Sequence, residues 1–563
     1  MKLISTYLFP LLALLLLSGN ISLHGQLQSP GKIMGDFRTL NAADVIYMLP
    51  PLHPLQKEAL EQESSEYYFK ALKFAIERPI SISPLSQGVW TQMESYRVWR
   101  AHIISPGAVS LGLIFDAFHL EEGVQLMIYD PEKTQVKGAY TAKNNKASGI
   151  FALGHIPGEE VIVELQVPVH LENYGVLSLG SLSHAFLPTA LYGTLDGRYG
   201  RSQPCEIDVN CDEGAQWQLE KQSVVRFYTA SQYCTGVMLN NTAYNGDPLL
   251  LTAEHCIYDE SSAASAIFVF SYESPSCFGE DGSVVMSISG AESLSIGDSI
   301  DFSLVRLSLP PPDDFNVFYS GWDLTSSPSG PSTAIHHPEG DVKKISFDYE
   351  APEATVDKSQ IPPQFWDLLS NSFWWIKQWD IGSTEPGSSG SPLFTPNSQV
   401  IGVLSFGSAK CGDSIDYDVE TDRVIYSKKN NVDDYYTRLD VAWDYRDDAD
   451  RSLQQWLDPT GSGLRSIEGL HPSGVEEGRT QVGSQFSLWP NPAGGELWFS
   501  SRTLREGDAT YRIFDLRGAI VLEENIRLPG PVQVNVGELQ EGFYLLLIEY
   551  GTTKEMLKFV KSK

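Results

Sequence analysis

The sequence predicts a mainly β chain built from several units, and three observations carry that expectation. Short apolar runs of strand length recur with Pro, Gly and Asp turns between them. All six cysteines fall between Cys205 and Cys411, which sets one stretch apart from its flanks. Two polar, Gly-containing stretches, Thr194–Gln203 and His471–Ser484, lie on either side of it. At about 100–200 residues per domain, 563 residues also suit three or four units. No solenoid-length internal repeat is visible.

Taken in order, the chain opens on Lys2 and an apolar run from Tyr7 to Leu17, followed by small and polar residues. That pattern reads as a secretory signal peptide over residues 1–25, cut near His24–Gln26, with passage through the periplasm. No later run reaches the roughly 18 apolar residues of a membrane span, so no transmembrane segment is expected in the mature protein. Residues 26–200 begin with mixed helix and loop, helical over Gln56–Glu77. They turn to strands at Val109–Phe115, Val124–Tyr129 and Val161–Val167, which suggests a β-sandwich-like unit. Residues 201–470 alternate short strands with Pro/Gly loops, as at Ala266–Tyr272, Phe302–Leu307 and Val400–Phe406. After a linker over 471–484, residues 485–563 read as a small β-sandwich. Tyr511–Phe514 and Ala519–Glu523 flank a Leu516-Arg517-Gly518 turn there, and Phe543–Tyr550 follows.

Composition narrows the function. Lys and Arg total 40 against 71 Asp and Glu, a net charge of −31. A field of that sign repels phosphate backbones and argues against nucleic-acid binding. With 42% hydrophobic and 20% charged residues, wholesale disorder is excluded. An even number of cysteines in an exported chain implies disulfides, with the pairing left open by sequence alone. No CxxC pair or HExxH motif occurs, so neither a metal nor a cofactor is expected.

The strongest local signal is Gly387-Ser388-Ser389-Gly390-Ser391-Pro392. A serine hydroxyl needs a base to take its proton and N–H donors aimed at the developing oxyanion. Flanking glycines let the chain turn tightly enough to supply those donors. Ser389 is therefore the candidate nucleophile, with the Gly387 and Ser389 N–H groups as the oxyanion hole. Alone the motif also fits an ordinary Gly/Ser loop, so the base matters. His255, in Leu251-Thr252-Ala253-Glu254-His255-Cys256, follows a strand and adjoins a cysteine that can staple the turn. Asp301, entering the apolar strand Ile300–Val305, is a carboxylate that burial would penalise without a partner. The order His255, Asp301, Ser389 is that of chymotrypsin, not of subtilisin or the α/β-hydrolases. Spacings of 46 and 88 residues suit two barrels, with His and Asp on the first and Ser on the second.

These stretches belong to a wider pattern. It includes Cys205-Glu-Ile-Asp-Val-Asn-Cys211, Cys234-Thr-Gly, Ser320-Gly-Trp-Asp323, Ala334-Ile-His-His-Pro338, Thr384–Pro392 and Trp456-Leu-Asp-Pro459. With them, residues 203–470 resemble the lysyl endopeptidases, trypsin-like serine proteases of bacterial secretomes. The resemblance implies a chymotrypsin-like double β-barrel and the disulfides Cys205–Cys411, Cys211–Cys277 and Cys234–Cys256. It implies protein and peptide substrates and a monomer. It also implies a pocket carboxylate late in the unit. The position six residues before the nucleophile, where trypsin carries its anion, is Ser383. The family instead uses a Ser-Asp-x-Tyr-x-Arg-like segment, matched by Asp433-Asp434-Tyr435-Tyr436-Thr437-Arg438, so Asp434 is the candidate to face a substrate ammonium. Because residues 413–450 hold 12 acidic and 5 basic side chains, a carboxylate there can also arise from a solvated acidic loop.

Departures from the family pattern bear on substrate and processing. The family stacks a histidine on a tryptophan beside the triad. Ser405 stands at the histidine position and Trp366 at the tryptophan position, so both are expected on the substrate side with the stacking pair lost. No lysine lies between Lys146 and Lys221, which leaves Arg198 and Arg201 in the linker and rules out strict Lys self-cleavage there. Ser388 occupies the place where an aspartate receives a new N-terminal amine in chymotrypsin-like zymogens. Residues 26–200 are thus expected to act as a propeptide controlling folding or access, or to remain as a binding unit. At the other end, Leu488-Trp489-Pro490-Asn491-Pro492, Leu539–Tyr544 and Lys558–Lys561 resemble the type IX secretion sorting domain. That implies the type IX machinery as a partner, and a secreted or cell-surface protein.

Together these residues predict a serine endopeptidase cutting after basic residues, Lys favoured, through an acyl-enzyme. A glutamyl endopeptidase shares the GxSGS-type loop but needs a cationic or hydroxyl-rich pocket. A non-catalytic adhesin on a protease scaffold has no need of an intact triad.

Overall fold

The computed structural model describes residues 28–41, 45–64, 71–187, 201–365, 367–412, 415–418, 423–426, 433–446, 448–471, 486–489, 495–501, 507–514, 520–528, 532–540, 542–550 and 553–561. The signal-peptide stretch, most of both linkers and Trp366 lie outside them.

The helix expected over Gln56–Glu77 is shorter and displaced. It runs Pro54–Ser64, and Leu72–Lys73 and Ala75–Ile82 are strands. The reason is legible in Ala75–Ile82, where Ile80 and Ile82 are buried and Glu77, Pro79 and Ser81 are exposed. That is a two-residue period, and Pro79 has no N–H to give to a helix. Tyr96–Ile104, in the stretch read as helix and loop, is likewise a strand.

The N-terminal unit has two sheets. One centres on Tyr96–Ile104, with Ile46–Met48 parallel on one side and Glu160–Pro168 antiparallel on the other. The second is four-stranded, in the order Ala75–Ile82, Gly175–Ala185, Ser110–Leu120, Phe151–Pro157. Alternate residues of both sheets, among them Trp99, Ile103, Leu113, Phe118, Leu165 and Leu182, share one core. Burying such a layer is the main force holding the sheets together.

The central unit is two curled, mostly antiparallel sheets. The first runs Ser287–Ser289, Ile267–Val269, Val224–Tyr228, Gln232–Leu239, Leu249–Thr252, Phe302–Leu307, Ala291–Gly297. The second is built around Ser332–His336, Pro392–Phe394, Val400–Gly407 and Asp434–Arg438. Leu251, Leu304 and Val237 of the first sheet pack with Trp322, Ile345 and Val403 of the second in one core. This is the chymotrypsin-like double barrel, with the site between the two sheets. The disulfides are Cys205–Cys411, Cys211–Cys277 and Cys234–Cys256, the pairing the resemblance implies, with Cα separations of 5.7, 4.4 and 6.3 Å. In the C-terminal unit a three-stranded and a four-stranded sheet bury Leu497, Phe499, Ile513, Leu546 and Phe559 between them. No helix among the described residues is long and apolar enough to cross a membrane.

Candidate active site

His255 leaves the strand Leu249–Thr252, and the next residue, Cys256, is tied to Cys234 on the neighbouring strand. That tie fixes the turn from which the imidazole projects. Nδ1 of His255 lies 2.9 Å from Asp301 Oδ2, and Nε2 lies 2.7 Å from Ser389 Oγ. The His255 backbone N–H also donates to Asp301 Oδ1 at 3.0 Å. One carboxylate thus holds both the ring and the backbone of the same residue.

Asp301 is 3% exposed. Burial alone would push its carboxyl up, but the His255 charge and the hydrogen bonds from His255 and Ser405 outweigh it and hold the carboxyl below its ordinary range. Its backbone sits at φ +59°, left-handed, pinned by donation to Gly297 O at 2.6 Å. Strain of that kind costs about 1–3 kcal/mol and persists only where surroundings impose it. Here they do: Thr437 Oγ1 donates to Ile300 O and Asp301 O at 2.6 and 3.0 Å.

Ser405 is placed differently from its expected position. It is fully buried and its hydroxyl donates to Asp301 Oδ2, so its side chain serves the carboxylate and not a substrate wall. Trp366 lies outside the described residues.

The nucleophile turn is set by two glycines. Gly387 has φ +99° and Gly390 φ +78°. A Cβ at Gly390 would stand 2.0 Å from Thr252 Oγ1 and 2.3 Å from Thr235 O. We therefore expect Gly390→Ala to destabilise the fold by about 2–4 kcal/mol and to reduce turnover. Thermal melts alongside peptide hydrolysis check this, and a wild-type melting curve would contradict the packing. Among the described residues, no acceptor lies on the N–H of Gly387 or of Ser389, the groups assigned to the oxyanion.

Sequence reasoning missed Thr235. Its N–H donates to Ser389 O at 2.8 Å and its hydroxyl to Gly387 O at 2.9 Å, while His337 N–H donates back to the hydroxyl at 3.1 Å. One threonine on the first sheet therefore clamps the nucleophile loop of the second. The motif Cys234-Thr-Gly contains it, but nothing local marks the threonine as a bridge. Ser388 is also occupied: it lies 2.8 Å from His336 Nδ1 and accepts from Glu385 N–H at 3.2 Å.

Asp434 is fully buried at the start of the strand Asp434–Arg438, opposite Gly407. Its Oδ2 accepts from Trp379 Nε1 and Thr384 Oγ1, both at 2.7 Å. Thr384 lies five residues before Ser389, on the same loop. A Cβ at Gly407 would meet Asp434 Oδ1 at 2.0 Å, so only glycine leaves that approach open. Ser383 is buried but carries no charge.

Beside the triad, burial first and then the Asp301 charge push the Glu254 carboxyl up to about 7. Its folded value lies above its unfolded one, so the fold favours the protonated form. That stabilisation is complete below about pH 4.5 and disappears as pH rises through 7. In a Ser389→Ala background, Glu254→Gln is expected to raise the melting temperature by a few degrees at about pH 8. It should change little near pH 4. Equal shifts at both values would refute the assignment.

Residues 199–422 match the lysyl endopeptidase C-terminal domain family. Residues 487–562 match the secretion system C-terminal sorting domain. That tail marks the chain for type IX secretion to the cell surface or the extracellular space. A lysyl endopeptidase of Pseudomonas aeruginosa is 30% identical over 277 residues, 46% of this chain. The chain spans 57% of that relative's length. Among solved structures, the secreted serine protease VesC from Vibrio cholerae is 15% identical with TM-score 0.25, covering 61% of this chain and 69% of that one. A Glu endopeptidase structure is 13% identical with TM-score 0.24, covering 39% and 86%. The central unit is thus homologous, at modest identity, to serine proteases of the lysyl endopeptidase type.

Proposed function

We propose that the protein is a secreted serine endopeptidase that cuts after basic residues, lysine above all, through a His255–Asp301–Ser389 triad. The observation that carries this is the bridging imidazole, 2.7 Å from a serine hydroxyl on one side and 2.9 Å from a buried carboxylate on the other. His255 takes the Ser389 proton as Oγ attacks the carbonyl, then gives it to the leaving amine. Asp301 keeps the ring oriented and stabilises the imidazolium. The N–H groups of Gly387 and Ser389 receive the oxyanion. Water then hydrolyses the acyl-enzyme.

Lysine preference rests on Asp434. A buried carboxylate accepting two hydrogen bonds is rigidly placed, and a substrate ammonium would offset the remaining cost of burying its charge. The same charge disfavours a glutamyl side chain. On this reading residues 26–200 are a propeptide-like unit, 201–470 the protease and 485–563 the sorting domain, and the enzyme works as a monomer on protein substrates. Mass spectrometry of a digested protein mixture tests the specificity. Lysine is expected before most cuts, and cuts confined to Glu or apolar residues would overturn the Asp434 assignment.

A further inference from the structure

The N-terminal unit does not merely precede the protease domain; it supplies a strand to it. Leu72–Lys73 pairs antiparallel with the start of Gln232–Leu239, Lys73 opposite Gln232 and Leu72 opposite Tyr233. The N–H groups of Phe74 and Ala75 both donate to Ser231 O, at 3.0 and 3.2 Å. Leu72 and Phe74 are buried at 2% and 0% exposure, packed with Tyr228, Tyr233 and Ile267 of the first sheet. The Phe74 ring stands 4.4 Å from that of Tyr233. This is strand addition at a sheet edge, the way extended peptides are commonly held.

The direction of that strand gives it chemical meaning. Because the pairing is antiparallel, stepping from Tyr233 to Cys234 and Thr235 corresponds to stepping back from Leu72 to Ala71 and beyond. Thr235 is the residue whose N–H holds Ser389 O, and the Cys256 sulfur lies 4.0 Å from the same oxygen. Ala71 packs on the cluster that contains Cys234, Ala253 and Cys256, the last two within two residues of His255 in the chain. The segment Ala71–Phe74 therefore runs backward toward the nucleophile, anchored on its C-terminal side. That is the position of a leaving-group strand. The residue preceding Ala71 is Lys70, which lies outside the described residues and enters here by sequence alone. It is of the type that Asp434 is proposed to select.

We propose that Ala71–Phe74 is the leaving-group half of an internal substrate, and that the enzyme cuts its own chain between Lys70 and Ala71. This rests on the lysine-selective reading above. It also answers the want of any lysine between Lys146 and Lys221, since the self-cleavage lysine lies well upstream of the linker. Ser389 Oγ bonds to the Lys70 carbonyl carbon as the C–N bond to Ala71 breaks. The hydroxyl proton passes through His255 to the departing Ala71 amine. Water then hydrolyses the ester, restoring Ser389 and leaving a Lys70 carboxylate. The two pieces stay together without denaturant, because Ile46–Met48 pairs with Tyr96–Ile104 and Leu49 sits in the core of the sandwich.

The test uses the full chain, wild type and Ser389→Ala, analysed by denaturing electrophoresis, intact mass and N-terminal sequencing. A lysyl peptide assay runs in parallel. The expected result is an N-terminus at Ala71 in the wild type, at a rate independent of dilution. It should be absent in Ser389→Ala and lost in Lys70→Gln. An Ala71 end that forms equally in Ser389→Ala assigns the cut to another protease and overturns the proposal. A rate proportional to protein concentration overturns the internal placement. If lysyl peptides are hydrolysed but no Ala71 end forms, the proposal fails and the lysine reading stands. If lysyl peptides are not hydrolysed, the lysine reading itself fails.

Discussion

Ser389→Ala is expected to lower kcat/KM for peptide hydrolysis by about 10⁴-fold or more while leaving the fold intact. The size follows from what the hydroxyl does. On the proposed mechanism no acyl-enzyme can then form, and His255 has no hydroxyl to deprotonate at 2.7 Å. The residual rate comes from substrate binding and the oxyanion donors alone. The fold survives because the packing of the loop does not depend on the hydroxyl. Thr235 N–H reaches the Ser389 carbonyl, and the turn is set by Gly387 and Gly390. Steady-state kinetics with a melting curve on the same sample decide the matter. Loss of activity together with loss of folding would mean that the serine is structural, and retained turnover would remove the mechanism.

The second large effect is expected at Asp434. Asp434→Asn keeps the shape of the side chain, and its oxygen can still accept from Trp379 and Thr384. What disappears is the charge. Truncating one partner of a buried, hydrogen-bonded charge pair costs roughly 2–5 kcal/mol, so kcat/KM for lysyl substrates should fall on the order of 10²–10³-fold. A substrate with an uncharged side chain of equal length should fall far less. The ratio of the two rates is the readout, because a general loss of folding would depress both together. An unchanged lysine preference would move the specificity carboxylate elsewhere.

Part of this site is legible in the sequence. His255 and Ser389 announce themselves through neighbours: a cysteine that can tie the turn, and glycines that permit it. Asp301 shows as a carboxylate at the mouth of an apolar strand, and a charge there needs a partner. The order of the three residues then restricts the fold to two barrels. The strands Phe302–Leu307 and Val400–Gly407 were visible as apolar runs between turn residues. The stretch after Gln56 differs from the helix its composition predicts because that composition masks a change of period. Pro79 and the alternation of Ala75–Ile82 point to a strand, but only a partner strand makes that strand worth forming.

The roles of Ser405 and Thr235 were not readable, and the reason is distance along the chain. Ser405 reaches Asp301 from 104 positions away, and Thr235 reaches Gly387 from 152. Neither contact leaves a local pattern, since one hydroxyl in a strand looks like any other until a second strand crosses it. By itself, then, the sequence marked the candidate reacting groups and the export tail, because each shows in residue type and near neighbours; the pairing of the cysteines, 206 residues apart for Cys205 and Cys411, it left open. Only the tertiary structure decided which hydroxyl supports the carboxylate, which threonine joins the barrels and where the N-terminal strand Leu72–Lys73 lies. Those are consequences of sheet register and packing, which bring together side chains that the chain itself keeps far apart.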